Sequence, residues 1–401
     1  MKINMQLLDE ILEKTDGKIC KHCLGRMLSK TIDGEDNVSR AESLDLNLKY
    51  DECIICENIF DKIDDELFDK IYDKLDFLKV EFDSFIVGSR IDKELQKRDE
   101  DFIKELNLDV EPIKKEINRI IGKRLEQELA KEVNFEKQDI IVNVNLIKDA
   151  KVRVQINPLF IEGKYNKLVR GIPQTKWPCR KCKGRGCEEC NFTGKQYPCS
   201  VEELISEHIL KATNGYEAKF HGAGREDIDV LMLGSGRPFV LEIKEPKIRK
   251  IDLNKLEKEI NDINQGKTQY HDLKFTHRNR KAEIKVSSPD AYKVYKALVE
   301  CEKPYDEDKL SILSQLGEIH QQTPIRVSHR RADKVRVKHV LDLSCETIDE
   351  THFKMTIKTE GGLYIKELIS GDKGRSQPNV ADKLGVKAFC KQLDVIEVSD
   401  K

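Results

Sequence analysis

One short turn in the sequence combines an arginine with acids in a way that could support nucleophilic chemistry. In FHGAGREDIDV, a Gly-rich turn exposes Arg225 and Asp227 before a hydrophobic run begins. A carboxylate that is fixed by a neighbouring cation can attack an electrophilic carbon. The turn could therefore carry a catalytic carboxylate, but on spacing alone a solvated surface loop is the preferred interpretation. Asp229, two residues further on, is a second candidate for the role.

Eight of the twelve cysteines form Cys-x-x-Cys pairs, a pattern typical of metal ligation. The pairs are Cys20 with Cys23, Cys53 with Cys56, Cys179 with Cys182, and Cys187 with Cys190. Zinc takes four thiolates in a tetrahedron, so two such turns complete one site. The first two pairs predict a structural zinc, and the last two could hold another. Unligated core thiols are the alternative, and a closed four-cysteine site would have no catalytic role.

Length, charge and hydropathy limit the class of protein. A chain of 401 residues exceeds what one core usually supports, so we expect two or three domains. The net charge of −2 excludes a uniformly basic nucleic-acid binder, and RNA contacts would need local patches. No apolar run approaches the roughly 18 residues of a membrane span, and the first residues lack a secretory signal. We expect a cytoplasmic protein without membrane contact.

Periodicity predicts a mixed α/β architecture before the catalytic turn. Residues 111–130 have apolar side chains at helical spacing, and they predict a helix. Residues 139–146 and 150–160 alternate apolar and polar side chains, as half-buried strands do. Residues 77–89 predict a long strand or a pair of strands.

A break in this pattern predicts the main domain boundary. Gly171 and Pro173 precede the second cysteine cluster and interrupt any regular element. Ser200 and Glu203 then form a capping box that predicts the start of a helix. We expect three regions: a zinc-binding N-terminal segment at residues 1–57, an α/β domain at 58–172 and a larger domain at 173–401.

Two motifs resemble those of the archaeal-type, THUMP-containing tRNA pseudouridine synthases, which act on uridines 54 and 55. GREDIDV resembles the active-site turn of this family, which implies Asp227 as the nucleophile and Arg225 as a group that orients it. GLYIK, residues 362–366, resembles a strand of the family. This second likeness implies that Lys366 pairs with Asp227 and that Tyr364 lies against the target base. An ordinary amphipathic strand is the alternative.

Two further segments extend the resemblance towards RNA binding. Lys-x-Tyr-x-Ala at residues 293–297 is similar to a family element and implies that Tyr295 stacks on the uracil. Residues 316–339 resemble the family's Gln-x-Thr-Pro-x-Arg-Val-x-His-Arg-Arg stretch. By this resemblance Arg326, Arg330 and Arg331 bind the substrate, through phosphate contacts that do not read sequence. A solvated charged strand is the alternative.

The resemblance covers nearly the whole chain and implies its fold and function. It implies an α+β protein of several domains: an N-terminal zinc-stapled, THUMP-like α/β region that binds RNA, then a pseudouridine synthase domain with a mixed, largely antiparallel sheet. The reaction would isomerise uridine 55, and uridine 54, in the tRNA T-loop without a cofactor. We expect a monomer.

Two other functions compete with this interpretation. The first is a non-catalytic zinc and THUMP protein that binds or chaperones tRNA. The second is a THUMP-bearing methyltransferase or thiouridine enzyme, which is disfavoured because the sequence contains neither a Gly-x-Gly-x-x-Gly motif nor a P-loop.

Overall fold

The structure, a computed structural model, describes residues 5–46, 52–287 and 291–399, without the side chains of Ser287 and Arg330. Contacts divide the chain into two compact units. The first is Met1–Pro158 with Glu245–Arg249, and the second is Leu159–Lys244 with Lys250–Lys401. Among the helices in these ranges, none has the length and apolar character required to cross a membrane.

The first unit packs helices against a small mixed sheet. Its helices and strands are α1 (Met5–Thr15), α2 (Lys21–Met27), α3 (Asn37–Glu42), α4 (Asp65–Leu78), β1 (Ser84–Arg90), α5 (Lys93–Glu105), α6 (Ile113–Leu129), β2 (Glu132–Val133), β3 (Ile140–Asn145) and β4 (Lys151–Ile156). The strand order is β2-β1-β3-β4, in which β1 is parallel to both neighbours and β3 is antiparallel to β4.

Sequence periodicity located most of these elements correctly. The predicted helix at 111–130 is confirmed as α6, which buries Ile113, Ile117 and Ile121. The predicted strands at 139–146 and 150–160 contain β3 and β4. The prediction of a long strand at 77–89 is wrong at its beginning, because α4 continues to Leu78 and β1 begins only at Ser84.

A buried ion network joins the cysteine-rich segment to the rest of the first unit. Arg26 on α2 is fully buried, and its Nη2 lies 2.5 Å from Oδ1 of Asp99 on α5. The Arg26 Nε is 3.3 Å from Oε2 of Glu116 on α6. The other Asp99 carboxylate oxygen accepts a 2.8 Å hydrogen bond from the backbone N–H of Ile113. The described part of the cysteine-rich segment and the following α/β elements therefore share one core.

The second unit contains a ten-stranded sheet with flanking helices. Its elements are β5 (Leu159–Lys167), α7 (Val201–Thr213), β6 (Glu217–Gly222), β7 (Leu231–Lys244), α8 (Leu253–Ile263), β8 (Thr268–Thr276), α9 (Arg280–Ser287), β9 (Tyr292–Cys301), β10 (Glu318–Gln322), β11 (Val335–Thr347), β12 (His352–Glu360), α10 (Ile365–Ser370), β13 (Ser376–Gln377), α11 (Val380–Leu384) and β14 (Ala388–Val398).

The strand order of this sheet is β13-β10-β11-β12-β9-β14-β7-β5-β8, and β6 pairs with β7. Only β14 and β7 are parallel among the described pairs of the sheet. The expected α+β class with a mixed, largely antiparallel sheet is confirmed. Ser200 begins α7 as a side-chain N-cap, because its side chain accepts a hydrogen bond from the Glu203 backbone N–H. The predicted capping box is only half formed among the described contacts, because the Glu203 carboxylate accepts from the Ser200 hydroxyl at 2.7 Å.

The division between the units lies before the break that the sequence indicated at 172/173. Strand β5 is hydrogen-bonded to β7 on one side and to β8 on the other. Its Ile161 and Tyr165 are fully buried in the core of the second unit. Residues 159–167, which we assigned to the THUMP-like domain, therefore belong to the large sheet.

Candidate active site

The Asp227 carboxylate lies in the loop between β6 and β7, where two cations approach it. Nη1 of Arg326 is 3.0 Å from its Oδ1 and 2.9 Å from its Oδ2. Nζ of Lys366 is 3.5 Å from Oδ2. The Asp227 side chain retains 32% of its exposure, so a substrate can reach it. The carboxylate is thus directed by two positive groups and remains accessible.

Asp229 shares one of these cations. Both of its carboxylate oxygens accept hydrogen bonds from Lys366 Nζ, at 2.8 and 2.7 Å. Burial opposes ionisation of Asp229, but the Lys366 ammonium outweighs burial and lowers the pKa of the carboxyl. The Asp229 side chain is 65% exposed, twice as much as that of Asp227. Lys366 therefore bridges the two aspartates, with the shorter contact to Asp229.

Glu367 holds the arginine that contacts Asp227, and sequence reasoning did not identify it. Its Oε1 accepts a 2.6 Å hydrogen bond from Arg326 Nε, and its side chain is 6% exposed. Arg326 was expected to bind phosphate, yet here it links Glu367 to Asp227. The only sequence signal for Glu367 is its position immediately after Lys366.

A buried network fixes the backbone on either side of Asp227. Oε2 of Glu226 lies 2.9 Å from Arg237 Nε and accepts a 2.8 Å hydrogen bond from the Tyr165 hydroxyl. Lys167 Nζ donates to the carbonyl oxygens of Asp227, at 2.9 Å, and Ile228, at 3.2 Å. Because these buried contacts restrict the backbone on both sides of Asp227, they position the loop.

Strand β9 supplies the inner wall of the site. Tyr295 is 9% exposed, and burial raises its pKa to about 12, with Arg237 opposing. Lys293, two residues earlier on the same strand face, is 7% exposed. Burial, reinforced by Arg237, lowers the pKa of Lys293 to about 7. Its ammonium group makes no hydrogen bond or ion pair with the side chains that the structure describes.

Tyr364 begins helix α10, and Gln321 on β10 fixes its backbone. The amide nitrogen of Tyr364 donates to Gln321 Oε1 at 2.8 Å, and its carbonyl accepts from Gln321 Nε2 at 3.0 Å. The interpretation of GLYIK as a strand is wrong, because Tyr364 is a helix N-cap and Ile365–Ser370 is helical. Gly362, with φ of +99°, allows the turn that separates this helix from β12.

These groups line one cleft, which we call the Asp227 cleft. It has a volume of about 340 Å³, at the lower end of the roughly 300–1,000 Å³ of small-ligand sites. Of the residues singled out from the sequence, the structure brings together Asp227, Asp229, Lys366, Arg225, Tyr295, Tyr364, Arg326 and Arg331 in its lining. The side chain of Arg330 lies outside the described part of the chain.

Arg225 contributes to the cleft from a different direction than the sequence indicated. Its guanidinium carbon lies 5.0 Å from the centre of the Trp177 ring, which also lines the cleft. Arg326, rather than Arg225, makes the 2.9 Å contact with the Asp227 carboxylate.

Each cysteine cluster brings four sulfur atoms together. Within each of the two sets, all Sγ atoms lie within 4.8 Å of one another. A tetrahedral zinc with bonds of about 2.3 Å needs sulfurs separated by about 3.8 Å. In the second cluster the distances are 3.9 Å for Cys179–Cys187, 3.8 Å for Cys182–Cys190 and 3.7 Å for Cys187–Cys190. The second donor set therefore has the sulfur separations of a structural zinc. The first also gathers four sulfurs that could hold the metal, with Cys20 and Cys56 somewhat closer at 3.4 Å.

His22, which lies between Cys20 and Cys23, contacts residues outside the first cysteine cluster. Its Nδ1 lies 3.0 Å from Glu116, and its ring stacks on Phe60 with centroids 4.0 Å apart. The four thiolates of Cys20, Cys23, Cys53 and Cys56 form the candidate donor set of the first unit, as expected.

The sequence matches two family models. Residues 160–399 match the model described as Pus10, C-terminal, and residues 67–145 match the model of the archaeal Pus10 THUMP domain. The THUMP match lies within the first compact unit, and the C-terminal match covers most of the second unit together with Glu245–Arg249 of the first.

Similar proteins from three archaea carry the name tRNA pseudouridine synthase Pus10. The chain is 51% identical to the protein of Methanothermobacter marburgensis, over 98% of both chains. It is 41% identical to that of Methanosphaera stadtmanae over 95% of both chains. For Methanocaldococcus jannaschii the identity is 48%, over 89% of this chain and 77% of the relative.

Likenesses to solved structures are weak. A crystal structure titled pseudouridylate synthase matches 76% of this chain and 88% of its own, with 11% identity and a TM-score of 0.22. A Cbf5-Nop10-Gar1 complex matches 49% and 45%, with 19% identity and a TM-score of 0.30. The two sequence models and the near full-length identities show that this chain belongs to the Pus10 family.

Proposed function

We propose that this protein is a tRNA pseudouridine synthase that isomerises uridine 55, and uridine 54, in the T-loop, with Asp227 as the nucleophile. Its relatives' shared name supports the reaction class and the tRNA substrate. The observation that carries the catalytic assignment is an accessible Asp227 held by Arg326 and Lys366 in a cleft lined by Tyr295 and Tyr364. The choice of positions 54 and 55 comes from the motif resemblance.

The geometry suits an isomerisation at the sugar carbon. Asp227 attacks C1′ and forms an ester as the N1–C1′ bond breaks, or it takes the C2′ proton so that a glycal forms as that bond breaks. The released uracil turns, and C5 bonds to C1′ as the ester bond breaks or as the C2′ proton returns to the glycal. The C5 proton then leaves and N1 receives a proton. Atoms and charge balance without an oxidant, a reductant or a cofactor.

The cations and aromatic rings have separate tasks in this scheme. Arg326 and Lys366 direct the carboxylate towards C1′ and offset the negative charge that returns to it when the intermediate collapses. Tyr295 and Tyr364 offer ring faces to the extruded base, whose unstacking costs a few kcal/mol. The two zinc clusters stabilise structure and take no part in the chemistry.

Mapping of pseudouridine in T-loop transcripts tests this proposal. Transcripts incubated with purified protein should contain new pseudouridine at positions 55 and 54. A non-catalytic tRNA-binding or chaperone protein would bind the same transcripts and leave both uridines unchanged. New pseudouridine only outside the T-loop would contradict the assigned positions but not the reaction.

A further inference from the structure

The second cysteine cluster lies at the tip of a loop whose base carries Trp177. The Trp177 carbonyl accepts a 3.0 Å hydrogen bond from the Gln196 backbone, and the Cys179 N–H donates to the Gly194 carbonyl at 2.7 Å. Pro178 and Lys195 form an antiparallel bridge between these bonds. The two ends of the loop are thus fastened next to the metal ligands, and the cluster fixes the backbone at Trp177.

Backbone N–H groups stabilise the second cysteine cluster, which anchors the two ends of the loop near Trp177. The N–H groups of Gly186 and Gly194 lie 3.2 Å from the sulfurs of Cys182 and Cys190. Such donors offset thiolate charge in a closed zinc site. The Gly194 N–H donates to the Cys190 sulfur, and the Gly194 carbonyl accepts from the Cys179 N–H. Gly194 therefore belongs both to the cysteine cluster and to the paired ends of the loop.

Trp177 lines the Asp227 cleft. Arg225 lies over the ring at 5.0 Å, and Tyr197 meets it edge-on with centroids 5.6 Å apart. The indole is half-buried, so part of it remains accessible. A flat aromatic surface supported from two sides therefore borders the site where a base would be extruded.

We propose that Trp177 is a stacking platform for a nucleotide that flanks the target uridine, and that the metal-bound second cluster holds the platform in place. The inference rests on the proposed function, because it requires an RNA loop in the Asp227 cleft. Extruding one base removes the stacking partner of its neighbour. A base that stacks on a protein aromatic ring gains about 1–3 kcal/mol, whatever its identity.

Arg225 has a binding role in this arrangement. Its guanidinium supports one side of the indole through a cation–π contact, while its charge favours an approaching phosphate. Arg225 therefore contributes to the proposed platform.

Trp177 is the only tryptophan in the chain, so intrinsic fluorescence reports on it directly. We expect a T-loop stem-loop transcript to quench this fluorescence in a saturable manner, in the wild-type protein and in Asp227→Asn. Unchanged fluorescence on saturation with the transcript would overturn the platform. Because the readout is binding, a protein that forms no pseudouridine can still show the quench, which separates failure of this inference from failure of the proposed function.

Substitutions separate stacking from a structural role. Trp177→Ala should weaken transcript binding by roughly 5- to 150-fold, the equivalent of one stacked base, with a smaller effect on the rate at saturating RNA. Trp177→Phe should restore most of the affinity. Phe192 is a matched control, because it is 74% exposed on the same loop and does not line the cleft. Wild-type affinity in Trp177→Ala, or an equal loss in Phe192→Ala, would overturn the proposal.

Loss of the metal tests whether the second cysteine cluster holds Trp177 in place. Cys182→Ser, or removal of zinc with a chelator, should reduce the quench and the affinity together, and zinc should restore both after chelation. Full quench and affinity in a protein shown by metal analysis to have lost the second zinc would overturn the anchoring role.

Discussion

At the scale of single residues, charged side chains in the Asp227 cleft position one another through a series of ion pairs. Glu367 holds Arg326, Arg326 holds Asp227, and Lys366 bridges Asp227 and Asp229. Arg326 has a planar fork of donors that can serve two carboxylates at once, which a lysine ammonium cannot reproduce. The direction of the Asp227 carboxylate therefore depends partly on Glu367, which acts through Arg326.

Glu367→Gln tests this chain of contacts. The amide keeps the shape of the side chain but loses the charge-assisted hydrogen bond to Arg326, which is worth about 1.5–3 kcal/mol. We expect the single-turnover rate of pseudouridine formation to fall roughly 10- to 100-fold, with little change in tRNA affinity. Glu360, which is partly exposed on β12 and pairs with His339, provides a control in Glu360→Gln. Equal rates in Glu367→Gln and the wild type would contradict the positioning role.

The buried amine of Lys293 should make the stability of the folded protein depend on pH. Burial lowers its folded-state pKa to about 7, below the roughly 10.4 of an exposed lysine, so between these values the unfolded chain binds more protons. Stability of the wild type should therefore rise with pH across this window. Lys293→Met removes the buried amine and should stabilise the fold by about 1–3 kcal/mol at pH 6.

Lys293→Met should gain less stability over the wild type at pH 9, because the Lys293 amine of the folded wild type is already neutral there. Thermal unfolding of both proteins at the two pH values measures this difference. A variant that is less stable than the wild type at pH 6, or a gain that does not depend on pH, would contradict the account.

At the scale of elements, the start of α10 is the most informative feature. The sequence motif predicted the proximity of Tyr364 and Lys366 to the nucleophile but not the helix that presents them. An apolar residue at every second position is compatible with a strand. The helix forms because Gly362 turns the chain and Gln321 fixes Tyr364 from another strand, which are contacts between distant segments.

Gln321→Leu tests this long-range anchor. The substitution removes the partner of the Tyr364 backbone N–H, and an unsatisfied buried group costs about 1–3 kcal/mol. It also removes one of two donors to the Tyr364 carbonyl, which still accepts from the Leu368 N–H. We expect a lower unfolding temperature and a raised KM, because Tyr364 lines the cleft. Gln322 is the next residue on β10 and is less buried than Gln321. Gln322→Leu keeps the Gln321 bonds to Tyr364 and should leave KM unchanged. A wild-type KM in Gln321→Leu would show that Tyr364 is positioned by other means.

Other parts of the site could not be read from the sequence for a similar reason. Arg326 lies 99 residues from Asp227 along the chain, and its position in a basic stretch suggested phosphate binding. Glu226 is part of the GREDIDV turn but was given no role there, and Lys167 lies outside the motifs named above. Only the fold shows that both are buried around the Asp227 loop. Local pattern identified the elements α6, β3 and α7, whereas these pairings depend on how distant elements meet.

At the scale of the whole molecule, the two compact units each carry one cysteine cluster. The first cluster fastens α2 within a core that also contains α5 and α6, and the second fastens the loop that bears Trp177. A bound zinc contributes its binding free energy to the folded state alone. Each unit should therefore lose stability independently when its own cluster is broken.

Metal content tests this prediction. We expect purified protein to contain two zinc ions per chain, and Cys20→Ser to contain one. The same variant should unfold at a lower temperature, because the first unit loses its metal. Cys345→Ser is the matched control, because this cysteine belongs to neither cluster. An unchanged zinc content in Cys20→Ser would contradict ligation by the first cluster.

The charge of the whole chain is nearly balanced, with 71 basic and 73 acidic residues. Binding of tRNA must therefore come from local surfaces, such as the basic residues around Arg326 and Arg331. Within the Asp227 cleft, the same arginines and Lys366 surround the aspartates, so the positive charge lies where the RNA backbone must approach.

The most direct test of the account is tritium release from T-loop RNA labelled at C5 of uridine, measured for the wild type, Asp227→Asn and Asp229→Asn. Asparagine keeps the shape of the side chain, and equal tRNA affinity would show that each variant binds its substrate. We predict no release above background from Asp227→Asn and measurable release from Asp229→Asn. Release at the wild-type rate from Asp227→Asn would contradict the assignment of Asp227 as the nucleophile.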